Sequence, residues 1–138
     1  MSGLIGIYGA AGCGRGIMPL VRAQHPGIEL VFIDDKQAEG PVNGHAVVDW
    51  LGFLARPNAR KSVSIAIADS KIRAALADKC AAAGISLIEA RAASVVQMDD
   101  VTILEGACLS PFVTLTSNIT IGRCFHANLY SYIEHDCR

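Results

Sequence analysis

Residues 101–136 divide into six consecutive hexads, VTILEG, ACLSPF, VTLTSN, ITIGRC, FHANLY and SYIEHD. The first and third positions of each hexad are mostly small or β-branched apolar residues, and the fifth and sixth are largely polar or glycine. The frame extends back to Val95. A repeat of six residues is the signature of a parallel β-helix, in which each hexad supplies one short strand and one corner. The second half of the chain is therefore predicted to be such a solenoid.

The predicted solenoid is short. Three hexads make one coil, so residues 101–136 supply about two coils, whereas a solenoid needs about three repeats and a capped end. The chain ends at Cys137-Arg138, inside a hexad and without a capping helix. We therefore expect the chain to be a truncated or trimmed form of a longer protein, or a fragment stabilised by partners.

The first half of the chain alternates short apolar runs with helical segments. The predicted strands are Leu4–Tyr8, Glu29–Ile33, Ser62–Ile67 and Ile85–Ile88. The predicted helices are Ile17–Gln24, Ser70–Ala83 (with Ile72, Leu76 and Cys80 on its apolar face) and a short turn at Trp50–Leu54, within an otherwise irregular stretch 36–61. This alternation predicts a Rossmann-like α/β domain with a parallel sheet. We assign residues 1–90 to that domain and residues 91–138 to an incomplete β-helix.

The amino-acid composition of the chain argues against several classes of binding partner. The 138 residues are 51% hydrophobic and 18% charged, with a net charge of −1, so binding to nucleic acid or to an acidic membrane has no electrostatic basis. No apolar run approaches the ~20 residues that span a bilayer, and the N-terminus lacks the basic region of a signal peptide. The five cysteines form no CxxC pair, which indicates free thiols in a reducing cytoplasm. A zinc site formed by closely spaced residues is the less favoured alternative; its ligands would be Cys124, His126, His135 and Cys137.

A glycine-rich segment, Gly9–Gly16, follows the first predicted strand and opens the first helix. At this place in an α/β fold, backbone N–H groups and the positive end of a helix can hold phosphate. Glycines let the backbone approach a pyrophosphate, so the candidates for ligand contact are Gly9, Gly12, Cys13 and Gly14. The spacing is GxxGxG and not the GxGxxG of a plain dinucleotide site. The alternative is a tight turn that binds nothing.

Carboxylates follow two of the other predicted strands. Asp34 and Asp35 end the second strand, about 20 residues after the glycine segment, where a carboxylate can accept hydrogen bonds from a ribose or a base. A solvated turn is the alternative for either residue alone. Asp69 follows the third strand, and capping of the next helix is its favoured role, with ligand contact second.

His135 is the candidate general base, because a histidine can take a proton near neutral pH. Its neighbour Asp136, or Glu134, could orient the imidazole and stabilise its charged form. His135 differs from the other three histidines because it falls at a hexad corner between carboxylates. Surface positions without a chemical role are predicted for His25, His45 and His126.

These residues resemble the sialic acid O-acetyltransferase (NeuD) family, which includes N-acetyltransferases of UDP-linked 4-amino sugars. Four segments carry the resemblance: IGIYGAAGCG (5–14), VFIDD (31–35), IAIADSKIR (65–73) and SPFVTLTSNITIGRCFHANLYSYIEHDC (110–137). The last is the most specific, because Asn128 precedes His135 by seven residues and a His-acidic-Cys triplet follows the family's pattern. The resemblance covers the whole chain but only the front part of the family's length.

The resemblance implies an acetyl-CoA-dependent acetyltransferase with a left-handed β-helix. The glycine segment with Asp34 and Asp35 would hold a UDP-linked amino sugar or a sialic-acid-type sugar. His135 would be the general base, Asp136 would polarise it, and Asn128 would help to place the acceptor. Family members are homotrimers with active sites between neighbouring β-helices, CoA lies along later coils, and no metal is required.

The chain departs from the family in two ways that bear on its own activity. The family's loop usually has a histidine where Cys13 stands, and the coils that bind CoA would follow Arg138. The chain alone is therefore expected to be inactive. One alternative is a non-catalytic module that binds nucleotide sugars. A further alternative is a small NAD-binding oxidoreductase, although the chain has no Tyr-x-x-x-Lys constellation and such enzymes have no hexads.

Overall fold

The structure, a computed structural model, describes residues 3–36 and 40–138, and its first half is a parallel sheet with helices. The strands are β1 (Gly3–Tyr8), β2 (Glu29–Ile33), β3 (Val47–Val48), β4 (Arg60–Ile65) and β5 (Ser86–Leu87), in the order β3-β2-β1-β4-β5. The helices are α1 (Gly12–Gln24), α2 (Trp50–Ala55) and α3 (Ser70–Ala82). All the strand pairs are parallel, so the predicted α/β architecture is confirmed.

The sheet is buried on both faces, as its continuous apolar strands require. Successive side chains of a strand point to opposite faces. Leu4 and Tyr8 of β1 accordingly join the core that contains Phe53, whereas Ile5 and Ile7 join the core beneath α1. The central position of β1, hydrogen-bonded to β2 on one side and β4 on the other, places the segment that follows it in the middle of the sheet edge.

Three local predictions for this half were wrong. Helix α1 begins at Gly12 and not at Ile17, because tertiary packing overrides the low helix propensity of glycine. Strand β3 lies in the stretch predicted to be irregular and pairs with β2 at the sheet edge. Ile72 was expected on the apolar face of α3 but is 52% exposed, while Ala77 and Cys80 carry the buried face.

The second half consists of eight short strands wound into a parallel β-helix. They are β6 (Ala90–Arg91), β7 (Val96–Gln97), β8 (Val101–Ile103), β9 (Cys108–Leu109), β10 (Thr114–Leu115), β11 (Ile119–Ile121), β12 (His126–Ala127) and β13 (Tyr132–Ile133). The strands form three faces, β6-β9-β12, β7-β10-β13 and β8-β11. Partners are eighteen residues apart, as in Ala90, Cys108 and His126, so each coil contains three hexads.

The core of the β-helix consists of the two apolar columns of the repeat. Its buried members are Ala107, Leu109, Val113, Leu115, Ile119, Ile121 and Ala127. The sixth residue of each hexad has a positive φ between 57° and 81°, which turns the chain at the corner; these residues are Asp100, Gly106, Phe112, Asn118, Cys124, Tyr130 and Asp136. The hexad prediction is therefore confirmed in both its core and its corners.

One face of the β-helix packs against the α/β sheet. The thiol of Cys108 in β9 lies 3.5 Å from the Ser64 hydroxyl and donates to the Ile65 carbonyl at 3.7 Å. Arg123, at the corner before β12, pairs with Asp78 of α3 at 3.1 Å. These contacts hold the first coils at the end of β4, next to the glycine-rich segment. Across the described ranges, no helix is long and apolar enough to cross a membrane.

Candidate functional site

A cavity of 640 Å³ opens between the start of α1 and the docked face of the β-helix. Its walls come from α1, from the β4–α3 region and from two successive coils, and include Gly12, Cys13, Arg73, Ser110, His126 and Asn128. The structure thus brings three of the predicted site residues, Gly12, Cys13 and Asn128, to one place. Ser110 and Asn128 are eighteen residues apart, so they occupy equivalent positions on neighbouring coils.

The glycine segment forms a tight turn in which Gly9 and Gly14 have no room for a side chain. Gly9 has a φ of 116°, and its N–H donates to the Ile33 carbonyl at 2.7 Å. A Cβ atom on Gly14 would lie 1.7 Å from the Gly9 carbonyl oxygen. The start of α1 therefore lies at the cavity. Its N–H groups without intrahelical partners and its helix dipole favour the binding of an anion there. No acidic residue occupies that first turn.

Asp34 and Asp35 lie beside this turn but outside the cavity lining. The Asp34 carboxylate accepts hydrogen bonds from the N–H groups of Ala10, at 3.1 Å, and Lys36, at 2.9 Å. It therefore braces the glycine turn. A direct contact of Asp34 or Asp35 with a ligand stays a prediction.

Asp35 belongs to a polar cluster on the other side of the sheet edge. It accepts from the Tyr8 hydroxyl at 2.8 Å and the Trp50 N–H at 2.9 Å, and Lys79 lies 3.7 Å away. Burial on its own would raise the pKa of Asp35, but the hydrogen bonds from Trp50 and Tyr8 and the charge of Lys79 bring it below its ordinary value. The cluster anchors α2 and α3 to β1.

Asp69 caps α3, which is the role that the sequence favoured. Its Oδ1 accepts from the N–H groups of Lys71, at 2.9 Å, and Ile72, at 3.0 Å. This satisfies two of the N–H groups that a helix N-terminus leaves without intrahelical partners. The secondary prediction of ligand contact at Asp69 stays a prediction.

His126 is not the surface residue that we expected. It is partly buried between the two domains, and its Nε2–H donates to the Ile65 carbonyl at 2.8 Å. Burial and the nearby charge of Arg73 lower the pKa of His126, although the bond to Ile65 opposes them. Its imidazole is therefore neutral near pH 7, with the proton on Nε2. The eighteen-residue register with Cys108 could have indicated this position.

Arg73, which the sequence did not single out, links the two halves of the chain at the cavity. Its Nε donates to the Cys124 carbonyl at 2.8 Å, and its Nη1 donates to the carbonyls of Ile67, at 2.9 Å, and Ala68, at 3.1 Å. It is the last residue of the segment IAIADSKIR, which contributes to the family resemblance. Nothing local in the sequence distinguishes an arginine that crosses to another domain from one on a solvated helix face.

His135 and Asp136 form the predicted pair on a different corner of the β-helix. Nδ1 of His135 lies 2.8 Å from Oδ2 of Asp136, and both side chains are exposed. The hydrogen bond and charge of Asp136, with a smaller contribution from Glu134, raise the pKa of His135. The pair follows β13, whereas the cavity is lined from the β6-β9-β12 face. A single chain therefore does not bring His135 into the cavity.

The cysteines are free thiols, and three of them, Cys80, Cys108 and Cys124, are buried. Burial raises the pKa of Cys13, and the nearby Arg73 partly offsets this. In the part of the chain that the structure describes, no group of three or more histidine, cysteine or acidic side chains is arranged to hold a metal ion.

Comparisons with known proteins agree with this architecture. The family described as PglD N-terminal domain matches residues 4–80. A GDP-perosamine N-acetyltransferase of Escherichia coli O157:H7 is 39% identical over 140 residues, covering 98% of this chain and 63% of the relative. The chain thus spans less than two thirds of that relative's length.

Two solved structures are similar over nearly the whole chain. WeeI from Acinetobacter baumannii AYE is 44% identical with a TM-score of 0.96, covering 99% of this chain and 66% of that one. PerB from Caulobacter crescentus, solved in complex with CoA and GDP-perosamine, is 28% identical with a TM-score of 0.86, covering 100% and 65%. The resemblance to sugar acetyltransferases that the sequence indicated is confirmed.

Proposed function

Because this chain belongs to the PglD N-terminal domain family, we propose that it supplies the nucleotide-sugar-binding domain and the first coils of an acetyl-CoA-dependent sugar N-acetyltransferase. The observation that carries the proposal is the cavity, which joins the glycine turn and the α1 N-terminus to the coil that bears Asn128. An anion site and a polar sugar-facing wall are the two features that a nucleotide sugar requires. The proposal places the enzyme in the cytoplasm, where its free thiols stay reduced.

The substrate class follows from the chemistry of the cavity. Backbone N–H groups at the start of α1 bind a diphosphate, and the sugar then extends towards Asn128 on the coil. The family resemblance implied a UDP carrier, whereas the descriptions of the Escherichia coli relative and of PerB name GDP-perosamine. We therefore propose a nucleotide-linked amino sugar, with GDP and UDP compared directly in the experiment below.

The acetyl transfer is direct in this proposal. With Nδ1 of His135 held by Asp136, Nε2 accepts a proton from the sugar amine as its nitrogen attacks the thioester carbonyl. A C–N bond forms, the C–S bond breaks, and the proton passes to the CoA sulfur as it leaves. Backbone N–H groups stabilise the developing oxyanion. We assign CoA binding to coils of a longer form, since the chain spans only 63% to 66% of its relatives' lengths.

The separation of His135 from the cavity supports a site shared between copies of the chain. A homotrimer of parallel β-helices would bring the His135 corner of one copy to the cavity of its neighbour. Exposed apolar side chains at the adjacent corner support such packing: Phe112 and Tyr130 stack with ring centroids 4.9 Å apart, and Leu129 is 60% exposed. Light scattering on the purified chain tests this assembly.

Calorimetric titration of the 138-residue chain with GDP, UDP and NADH tests the proposed function. Binding of GDP or UDP without NADH supports it, and the tighter of the two identifies the carrier. Binding of NADH alone would favour an oxidoreductase and overturn the proposal. If neither GDP nor UDP binds, the assignment of this cavity to a nucleotide sugar is wrong.

A pair of variants makes this experiment specific to the cavity. Gly12→Asp places a carboxylate at the α1 N-terminus, where it suits the helix dipole but repels a diphosphate, and a Cβ there meets only Arg15 Nη2, at 3.7 Å. The matched control is Gly122→Asp on the β-helix, where a Cβ meets nothing within 4 Å. We expect Gly12→Asp to abolish nucleotide binding and Gly122→Asp to preserve it.

A further inference from the structure

Arg73 lies on the wall of the cavity that the start of α1 also lines. It belongs to the first turns of α3, yet its guanidinium leaves that helix and reaches the carbonyl oxygen of Cys124 on the β-helix. Bonds to the carbonyls of Ile67 and Ala68 hold the same side chain from the other side. These hydrogen bonds from Nε and Nη1 fix the orientation of the guanidinium before any ligand binds.

The charge of Arg73 is not neutralised by these bonds. Carbonyl oxygens satisfy N–H donors but carry no net charge, and across residues 3–36 and 40–138 no ion pair within 4.0 Å involves this arginine. The charge of Arg73 acts on two residues that line the cavity. It lowers the pKa of His126 and opposes the rise in the pKa of Cys13. Burying a cation without a counter-ion costs free energy, and a bound anion would offset that cost.

We propose that Arg73 binds the diphosphate of the nucleotide sugar, together with the N–H groups at the start of α1. The inference rests on the proposed function, and it adds a specific cation that recognises the phosphates. Two independent positive features, the helix N-terminus and the guanidinium, face one cavity of 640 Å³. Because Nε and Nη1 donate to carbonyls, Nη2, which makes no hydrogen bond to the described residues, remains to donate to phosphate oxygens.

The same side chain also holds the β-helix to the sheet through Cys124. Arg73 therefore couples two properties that an experiment must separate, the stability of the interdomain contact and the affinity for phosphate. The hydrogen bonds to three carbonyls depend on the shape of the guanidinium, whereas attraction of a diphosphate depends mainly on charge. Lysine retains the charge but not that shape, and methionine retains neither.

The experiment compares Arg73→Met, Arg73→Lys and the control Lys71→Met in the 138-residue chain. Lys71 is an exposed cation two residues earlier on α3, and its side chain does not line the cavity. For each variant, calorimetry with GDP and UDP gives the affinity, and thermal unfolding without ligand gives the stability. Circular dichroism at the titration temperature verifies that each variant is folded.

We expect Arg73→Met to weaken binding of the preferred nucleotide by about 10- to 100-fold, because the variant loses a charge-assisted hydrogen bond to the ligand. Arg73→Lys should recover part of that affinity while its Tm falls as much as that of Arg73→Met. Lys71→Met should bind within about twofold of the unmodified chain, because exposed charges contribute little.

Two results would overturn the assignment while leaving the proposed function in place. One is unchanged affinity in Arg73→Met. The other is a nucleotide affinity that falls in parallel with Tm, so that Arg73→Lys binds as weakly as Arg73→Met. That pattern indicates that Arg73 has a purely structural role. If the unmodified chain binds neither GDP nor UDP, the proposed function fails and this assignment fails with it.

Discussion

Nδ1 of His135 and Oδ2 of Asp136 lie 2.8 Å apart although the two residues are neighbours in the chain. Adjacent side chains of an extended strand point to opposite faces and do not meet. The φ of 65° at Asp136 interrupts that alternation and turns its carboxylate towards the imidazole. The corner of the hexad therefore creates the pair, and the N–H of Asp136 is held by the Ser117 carbonyl of the previous coil at 3.1 Å.

Asp136→Asn should lower the pKa of His135 towards its ordinary value, because the carboxylate's hydrogen bond and charge are what raise it. Asparagine tolerates a positive φ, so the corner should persist. NMR titration of the imidazole in the 138-residue chain measures the change. Glu134→Gln is the control and should shift the pKa of His135 less, in the same direction. An unchanged or higher pKa in Asp136→Asn would contradict the structural pair.

Gly14→Ala should destabilise the fold strongly, because its Cβ would lie 1.7 Å from the Gly9 carbonyl oxygen. We expect a loss of about 2 kcal/mol or more in the free energy of unfolding, as for other overpacked sites. Gly16→Ala is the matched control in the same helix, where a Cβ meets nothing within 4 Å. It should stabilise the chain by about 0.5–1 kcal/mol. Urea unfolding of both variants gives the comparison, and similar effects would refute the tight turn.

Asp69→Ala should reduce the free energy of unfolding by about 1 kcal/mol, because the N–H groups of Lys71 and Ile72 lose their acceptor. Asp69→Asn keeps an oxygen at the same place and should lose much less. Urea unfolding distinguishes the two variants. If Asp69→Asn keeps its stability but loses nucleotide affinity in calorimetry, the secondary prediction of ligand contact at Asp69 gains support.

Asp35→Asn should cost stability at neutral pH and little in acid. The hydrogen bonds from Trp50 and Tyr8 and the charge of Lys79 lower the pKa of Asp35 against the effect of burial. Its contribution is therefore complete above the unfolded pKa of about 3.9 and disappears as the pH falls through the lower folded value. Because the side chain is 46% exposed, we expect about 1 kcal/mol at pH 7.

Urea unfolding of Asp35→Asn and the unmodified chain from pH 7 down to about pH 3 measures this window. The difference between them should narrow as the pH falls. Lys79→Met should show a smaller loss over the same range, since it removes only one of the interactions. A difference that is constant with pH, or that grows in acid, would contradict the role of the Asp35 cluster.

The β-helix was predictable because its burial depends on position within a short repeat. The columns at the first and third positions became the core, with Leu109 and Leu115 fully buried. The glycine turn was also predictable, since the carboxyl end of a central parallel strand offers one place for it. The start of α1 was not, because glycine has low helix propensity and the contact between Gly14 and Gly9 is set by packing.

The sequence by itself determined the two architectures and their order, because both follow from local periodicity, and the same hexad repeat places Asp136 at a corner beside His135. Only the tertiary structure decided which coil face meets the sheet, and so which residues surround the cavity. His126 and Arg73 reach carbonyl oxygens 61 and 51 residues away in the chain. Such contacts depend on how the α/β sheet and the β-helix dock. Docking is set by the shapes and hydrogen-bonding groups of both surfaces together, and no local sequence pattern specifies these.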